Sequence, residues 1–282
     1  MPETLHAFDL AEVNSAIAAT EFAGHLHHLA ATLSTNDLAL QAAQAGARNG
    51  VWIADKQLAG RGRGRHTWHS LAGAGLYMTA LIAPRIPMQS ALSLSLRVAI
   101  AIQSAIVTVT RFQRPSQVDI RWPNDLMLNR RKVGGILIDT ASNPATDAQP
   151  ATLRYAVLGI GINVNHTTFP PELDAIATSL RRELPNPSEP LRREPLAAAI
   201  LLALDAEIRA LAAGNPQPAT CSCVDPTECS TWIEGKRVRV EARDGDPGYT
   251  GTTAGLDPNG FLLVLGDDGP IHTVLSGGLR EP

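Results

Sequence analysis

Cysteine is scarce: the 282 residues hold three, Cys221, Cys223 and Cys229, all in one short stretch. A structural zinc site takes four ligands, so the expectation there is reduced thiols in a loop, not a metal site. Long apolar runs are also missing. The longest, Leu196 to Leu204, is bracketed by Pro195 and Asp205 and is about half of what a bilayer needs. The opening residues MPETLHAFDLAEVN are mixed and acidic, without the basic start, apolar stretch and small-residue cleavage site of an export signal. A soluble, cytoplasmic protein without membrane contact is the expectation. Positive charge is not in excess either: 24 Lys and Arg against 27 Asp and Glu give a net charge of −3. No global field draws the chain to nucleic acid, and any anion site must be a local cluster. What is there, at 44% hydrophobic residues, suffices for a sizeable core, in one large domain or a large one plus a small one.

Residues 9–19 read as a helix, with Asp9 as N-cap and Leu10, Val13 and Ile17 at helical spacing. Ser34 precedes a second helix, with Asp37 at capping-box spacing and Gly46 as its stop. Strands are expected at VWIADKQ (51–57) and GLYMTALIA (75–83), and a long helix over Ser90 to Thr110, where Arg97 and Gln103 argue against a membrane span. Four further strand-like runs, QVDIRW, LML, KVGGILID and LRYAVLGIGINVN, are mostly joined by short turns, which makes them antiparallel neighbours. A helix over Leu191 to Ala213 closes the region, and a linker rich in Pro and Ser follows. From Trp232, alternating runs punctuated by DGDPG, DPNG and DDG predict a small all-β unit. The expected class is α+β, with a mixed, mainly antiparallel sheet and flanking helices over residues 1–230 and a small β domain over 231–282.

Three segments can carry chemistry. AGRGRGRHTW (59–68) combines glycines, which let backbone N–H groups approach a ligand, with the fixed charge of Arg61, Arg63 and Arg65. It suits a phosphate or carboxylate, unless it is merely a solvated Arg-Gly stretch. In RWPNDLMLNRRKVGGILID (121–139), Pro123 and Asn124 favour a tight turn and Lys132 opens a strand beside Gly134 and Gly135. Lys132 is either a phosphate-holding cation or a surface lysine, and Asp125 either helps hold a metal with ATP or caps the turn. In GIGINVN (159–165), Gly159 and Gly161 leave room on one face, while Asn163 and Asn165 offer either a purine contact or a hydrogen-bonded strand end.

Together and in this order, Ser34-Thr35-Asn36, Gly60 to Arg63 with Trp68, Trp122 to Asp125, Lys132 to Leu137 and Gly159 to Asn165 resemble the motifs of the biotin protein ligase family. The C-terminal β segment resembles that family's small SH3-like barrel. The resemblance implies a class II synthetase-like catalytic fold, with biotin and ATP as substrates and Mg2+ with the ATP. It implies a biotin site of Ser34, Thr35, Asn36, Gln57, Arg61, Gly62, Arg63, Lys132, Gly135, Gly159 and Gly161. Ser34, Thr35 and Gln57 would meet the ureido ring, and Arg61 the carboxylate end through its backbone. Arg63 and Lys132 would hold the phosphate, Asn124 would orient the reacting groups, and Asn163 and Phe169 would serve the adenine. Trp68 would support the loop, and residues 166–177 stand where the family has a loop over the adenylate.

Two departures stand out. The family separates GRGR from a further Gly-Arg pair by one residue, whereas Gly64-Arg65 follows at once here, which leaves Arg65 without a role. The stretch before Ser34 is too short for the winged-helix domain of the repressor members, so no DNA binding is expected. The implied reaction forms biotinyl-5′-AMP and transfers biotin to a lysine of a biotin carboxyl carrier protein domain, of acetyl-CoA carboxylase or a related carboxylase. Lipoate or octanoate ligation, whose plain acyl chain needs no polar cluster, and a non-enzymatic biotinyl-adenylate sensor are the rivals.

Overall fold

The structure, a computed structural model, describes residues 6–64, 66–110, 118–147, 149–184, 189–215, 232–241, 248–257, 260–274 and 278–282. The cysteines, Arg65, the linker and the boundary expected at 230/231 lie outside these residues.

Both expected N-caps form. Asp9 accepts from the backbone N–H groups of Ala11 and Glu12 at the start of α1 (Leu10–Ala16), satisfying donors that a helix start leaves open. The helix is shorter than expected, with Ile17 as its C-cap. Ser34 accepts from Asp37 N–H at the start of α2 (Thr35–Gln44), and Gly46 follows at φ 101°, a left-handed position that favours glycine.

Seven strands make the large sheet: β1 (Leu26–Leu29), β2 (Gly50–Ala54), β3 (Gly75–Ile82), β4 (Val118–Arg121), β5 (Asp125–Leu128), β6 (Arg131–Asn143) and β7 (Thr152–Asn163), in the order β1-β2-β3-β7-β6-β5-β4. Only β1 and β2 run parallel; the other pairs are antiparallel. The short edge strand β1 has no counterpart in the sequence reading. Asn129 and Arg130, at φ 49° and 62°, are the positive-φ pair that a two-residue hairpin between β5 and β6 requires.

Period-2 alternation sorts the two faces of this sheet. On β3, Leu76, Met78, Ala80 and Ile82 enter the main core, and so do Ala156, Leu158, Ile160 and Ile162 on β7. Covering that face are α1, α3 (Leu94–Thr110, preceded by a 3-10 turn, Met88–Ser93) and α6 (Glu194–Ala212), which follows two short helices, α4 (Pro171–Asp174) and α5 (Leu180–Glu183). Met88–Thr110 is long and apolar enough to cross a membrane, yet its helix is a core element. Arg97 is 1% exposed and meets Glu207 of α6 at 2.8 Å, a buried pair that holds the two helices in register. The other face carries Tyr77, Thr79 and Leu81 and is covered by α2, whose Ala39 and Ala43 pack on Leu81, Tyr155 and Val157.

The tail forms a five-stranded antiparallel sheet, β11-β10-β9-β8-β12, from β8 (Glu234–Val240), β9 (Tyr249–Leu256), β10 (Leu262–Gly266), β11 (Ile271–Val274) and β12 (Leu279–Arg280). Among the described residues it does not close into a barrel. Its core of Val238, Val240, Leu262, Val264, Val274 and Leu279 takes in Trp122 from the large sheet, whose indole N–H donates to Gly260 O at 3.2 Å.

Candidate active site

The site lies on the α2 face, where three glycines replace side chains. Gly135 pairs with Gly161, and Leu137 with Gly159, across β6 and β7, leaving a trough. A Cβ on Gly159 would lie 2.1 Å from Asn36 Oδ1, one on Gly161 2.6 Å from Trp68 Cε2, and one on Gly135 3.0 Å from Trp68 Cζ3. The trough is therefore read closely by Asn36 and capped by the indole. The remaining cavity, about 40 Å³, has room for a few waters. It is lined by every residue expected at a biotin site: Ser34, Thr35, Asn36, Gln57, Arg61, Gly62, Arg63, Lys132, Gly135, Gly159 and Gly161, with Asn124 and Trp68.

Lys132 shares this face with Gly135 because β6 carries a bulge. Met127 pairs with Lys132 but Leu126 with Gly134, so Val133 is an extra residue, and the parity of the strand switches there. Val133 and Ile136 both enter the core, which aims Lys132 and Gly135 at the site. The backbone of Lys132 is held by the segment after α4: its N–H donates to Ile176 O at 2.8 Å, and its carbonyl accepts from Thr178 N–H at 2.9 Å.

One end of the trough is polar and uncharged. Gln57 Oε1 accepts from Thr35 N–H at 2.9 Å and lies 3.1 Å from Thr35 Oγ1, so a helix-start donor is met by a side chain from the segment after β2. Beneath them, Thr79 Oγ1 lies 2.7 Å from both Thr35 Oγ1 and Asn36 Oδ1. The other end is charged. Arg61 bridges Asp37 at 3.4 Å and Asp139 at 2.9 Å; its guanidinium is thus taken up by carboxylates. Arg63 donates to Asn124 Oδ1 at 3.0 Å, and Asn124 Nδ2 donates to Ile136 O at 3.1 Å.

Lys132 Nζ sits 2.6 Å from Asp125, whose other neighbour is Arg121 at 2.5 Å. Burial works to raise the Asp125 pKa, but the charges and hydrogen bonds of Lys132 and Arg121 outweigh it and hold the carboxyl below its ordinary value. Both cations engage Asp125, which makes it a poor ligand for a resident metal, and no group of three or more His, Cys, Asp or Glu among the described residues could hold one. Asp125, read from the sequence as metal ligand with ATP or as turn cap, is here the shared partner of two cations.

A cavity of about 510 Å³ continues past Arg63, Trp68 and Lys132 to Asn163 and Phe169, and reaches Glu241 and Arg280 of the small sheet. Asn163 lines it but is 5% exposed, and its amide donates to Thr178 O at 3.0 Å. Asn165 is tied in both directions to Leu191. Both carboxamides are thus hydrogen-bonded at the strand end, and Asn163 in addition lines the cavity where a purine contact would be made. Phe169 stacks on His166 at 5.1 Å and 7°, with His69 tilted against both. His166 is fully buried, and burial, helped by His69, pushes its pKa down to about 4, so the ring is neutral. Sequence reasoning missed Thr79, Arg121 and His69, and took in His166 only as the first residue of the 166–177 loop. Only Arg121 carried a signal, as a cation next to the Trp-Pro-Asn-Asp turn.

Residues 30–163 match the biotin/lipoate A/B protein ligase family, and residues 235–277 the biotin protein ligase C terminal domain. The chain is 33% identical over 253 residues to the biotin--[acetyl-CoA-carboxylase] ligase of Mycobacterium tuberculosis, covering 89% of this chain and 86% of the relative. It is 32% identical over 254 residues to the bifunctional ligase/repressor BirA of Bacillus subtilis, covering 89% and 72%. A biotin protein ligase from Aquifex aeolicus in complex with biotin and ATP superposes with a TM-score of 0.68 at 23% identity, over 92% of this chain and 100% of the other, and so has the same fold. With motifs, fold and relatives matched over most of their length agreeing, the chain belongs to the biotin protein ligase family.

Proposed function

We propose that this protein activates biotin with Mg-ATP to biotinyl-5′-AMP and transfers the biotin to a lysine of a biotin carboxyl carrier domain, of acetyl-CoA carboxylase or a related carboxylase. The observation that carries this reading is the trough itself. Its glycine floor joins an uncharged polar end, Ser34, Thr35 and Gln57, to a cationic end, Arg63 and Lys132. A bicyclic urea with a carboxylate tail needs that sequence of environments; a plain acyl chain does not need the polar end, which disfavours lipoate or octanoate.

In the first step a biotin carboxylate oxygen attacks the α-phosphorus of ATP, the bond to the bridging oxygen breaks, and pyrophosphate leaves. Arg63 and Lys132 stabilise the negative charge that accumulates on the phosphoryl oxygens. Asn124, bonded to Arg63 on one side and to the β6 backbone on the other, orients that guanidinium. The backbone of Arg61 and Gly62 meets the tail, and the backbone of Gly135, Gly159 and Gly161 lines the ring. In the second step a neutral lysine amine attacks the acyl carbon, and the bond to the AMP oxygen breaks. No protein nucleophile is involved; the site works by holding and neutralising its reactants. Asn163 and Phe169 are assigned to the adenine, residues 1–230 to the catalytic domain, 231–282 to an SH3-like domain, and the cytoplasm to the enzyme. The test is exchange of labelled pyrophosphate into ATP, expected with biotin and magnesium together. Exchange supported by lipoate or octanoate but not by biotin refutes the reading, and biotin binding without exchange turns it into a sensor.

A further inference from the structure

We infer that Thr79, a buried β3 residue beneath the pocket, is a positioning residue that sets the Thr35 hydroxyl as a hydrogen-bond acceptor, so that the site selects a ligand N–H at that point. The inference rests on the biotin reading of the trough.

It follows from counting protons. Asn36 Nδ2 lies 3.4 Å from Leu137 O, and a carbonyl oxygen only accepts. The amide nitrogen therefore faces Leu137, and Asn36 Oδ1, which cannot donate, faces Thr79. Three oxygen–oxygen contacts then run in a chain. Asn36 Oδ1 to Thr79 Oγ1 is 2.7 Å, Thr79 Oγ1 to Thr35 Oγ1 is 2.7 Å, and Thr35 Oγ1 to Gln57 Oε1 is 3.1 Å. Two hydroxyl protons are available for three contacts. Contacts as short as 2.7 Å need a proton between the oxygens, so Thr79 donates to Asn36 and Thr35 donates to Thr79. The longest contact goes without, at little cost, because Gln57 Oε1 already accepts Thr35 N–H at 2.9 Å.

With its proton turned down to Thr79, Thr35 keeps only lone pairs for the pocket. Gln57, whose oxygen is committed to Thr35, has its amide nitrogen as its remaining donor. An acceptor beside a donor matches the adjacent N–H and C=O of a cyclic urea. Thr79 is 0% exposed and so acts through Thr35, not on the ligand. Without it, the Thr35 hydroxyl turns freely between Gln57 and the ligand, and an acceptor fixed in advance is lost.

The experiment is calorimetric titration of biotin into the parent, Thr79→Val, Thr79→Ser, Thr35→Val and the double Val variant, with melting temperature read on each. Thr79→Val is expected to weaken biotin binding about 10-fold and Thr79→Ser, which keeps the hydroxyl, less than about 3-fold. The double variant is expected to bind no more weakly than Thr35→Val alone, because the two act through one hydrogen bond. A merely structural role lowers the melting temperature and leaves biotin affinity unchanged, or gives losses that multiply in the double variant. Either result overturns the inference. Should Thr79→Val not fold, the parent decides with biotin methylated singly on each ureido nitrogen: one analogue loses at least about 30-fold, and equal binding of both and of biotin overturns it. A parent that binds no biotin overturns the reading of the site and this inference with it; an unaltered Thr79→Val overturns this inference alone.

Discussion

Adding one methyl group to the trough floor tests where the ligand lies. In Gly161→Ala the new Cβ would stand 2.6 Å from Trp68 Cε2 and 2.9 Å from Cζ2 and Nε1, closer than packed carbons approach. The backbone cannot yield, since Gly161 is paired with Tyr77 of β3 on one side and Gly135 of β6 on the other. Trp68 can. Its indole N–H has no hydrogen-bond partner among the described residues to lose, and the residue sits in a loop, not a strand. The expected stability cost is thus at the low end of overpacking, about 1 kcal/mol, or about 2–4 °C in Tm for a protein of this size.

A ligand has no such escape. Lifted off the floor by a methyl group, it can no longer hold both the polar end at Thr35 and Gln57 and the cationic end at Arg63 and Lys132. Losing two hydrogen bonds at about 1 kcal/mol each weakens binding by about 30-fold. Titration calorimetry with biotin, beside a melt, reads both numbers. If Gly161→Ala binds biotin within about threefold of the parent, the trough is not the biotin site.

Three other substitutions report on the cationic end and its surroundings. Arg63→Gly removes a charge-assisted bond of about 1.5–3 kcal/mol and should still form biotinyl adenylate while releasing it about 10-fold to 100-fold faster, read as biotin on added albumin by streptavidin blot. Lys132→Ala should instead slow pyrophosphate exchange itself, and an unchanged exchange rate would remove Lys132 from the phosphate. His166, held down to about 4 from an ordinary 6.5, is neutral when folded. Unfolded chains therefore take up its proton first as pH falls, and roughly 3 kcal/mol at most of stability, present above pH 6.5, is lost on the way to pH 4. His166→Gln should flatten the melting temperature between those values.

Much of the site was legible because it is built from backbone rules. Ser34 as N-cap and short turns between antiparallel strands leave local marks in sequence, and the structure bears out both; Gly159 and Gly161 lie, as read, where a Cβ has no room. What was not legible depends on register. Strict alternation along β6 puts Lys132, Gly134 and Ile136 on one face, whereas the extra residue at Val133 puts Lys132 with Gly135. Nothing in the local sequence announces a bulge that only the partner strand β5 reveals. The edge strand β1 was missed for a related reason: Leu-His-His-Leu has no alternation, and its histidines are accommodated one by one, His27 stacking on Trp52 and His28 facing Asp55. Thr79 is a single hydroxyl in an apolar run, and its partners come from a helix far off in the chain.

That same register explains why the cationic end can serve a ligand at all. A lysine paired with a buried carboxylate is normally costly to free, because breaking the pair leaves a charge stranded, at about 3–5 kcal/mol. Asp125, however, is shared by Lys132 and Arg121. When Lys132 swings to a phosphoryl oxygen in the proposed reaction, Asp125 keeps Arg121 and stays ionised, so the exchange replaces one oxygen partner of the ammonium by another. Asn124, which accepts from Arg63, is neutral and remains bonded to the β6 backbone when that bond is given up. Arg61, by contrast, is held between two carboxylates, with no second cation on either among the described residues. Because Asp125 keeps Arg121 when Lys132 leaves, replacing Arg121 by Gln should bind Lys132 more tightly to Asp125 and slow adenylate formation. An Arg121→Gln enzyme that matches the parent in pyrophosphate exchange would show that Lys132 does not leave Asp125 during the reaction.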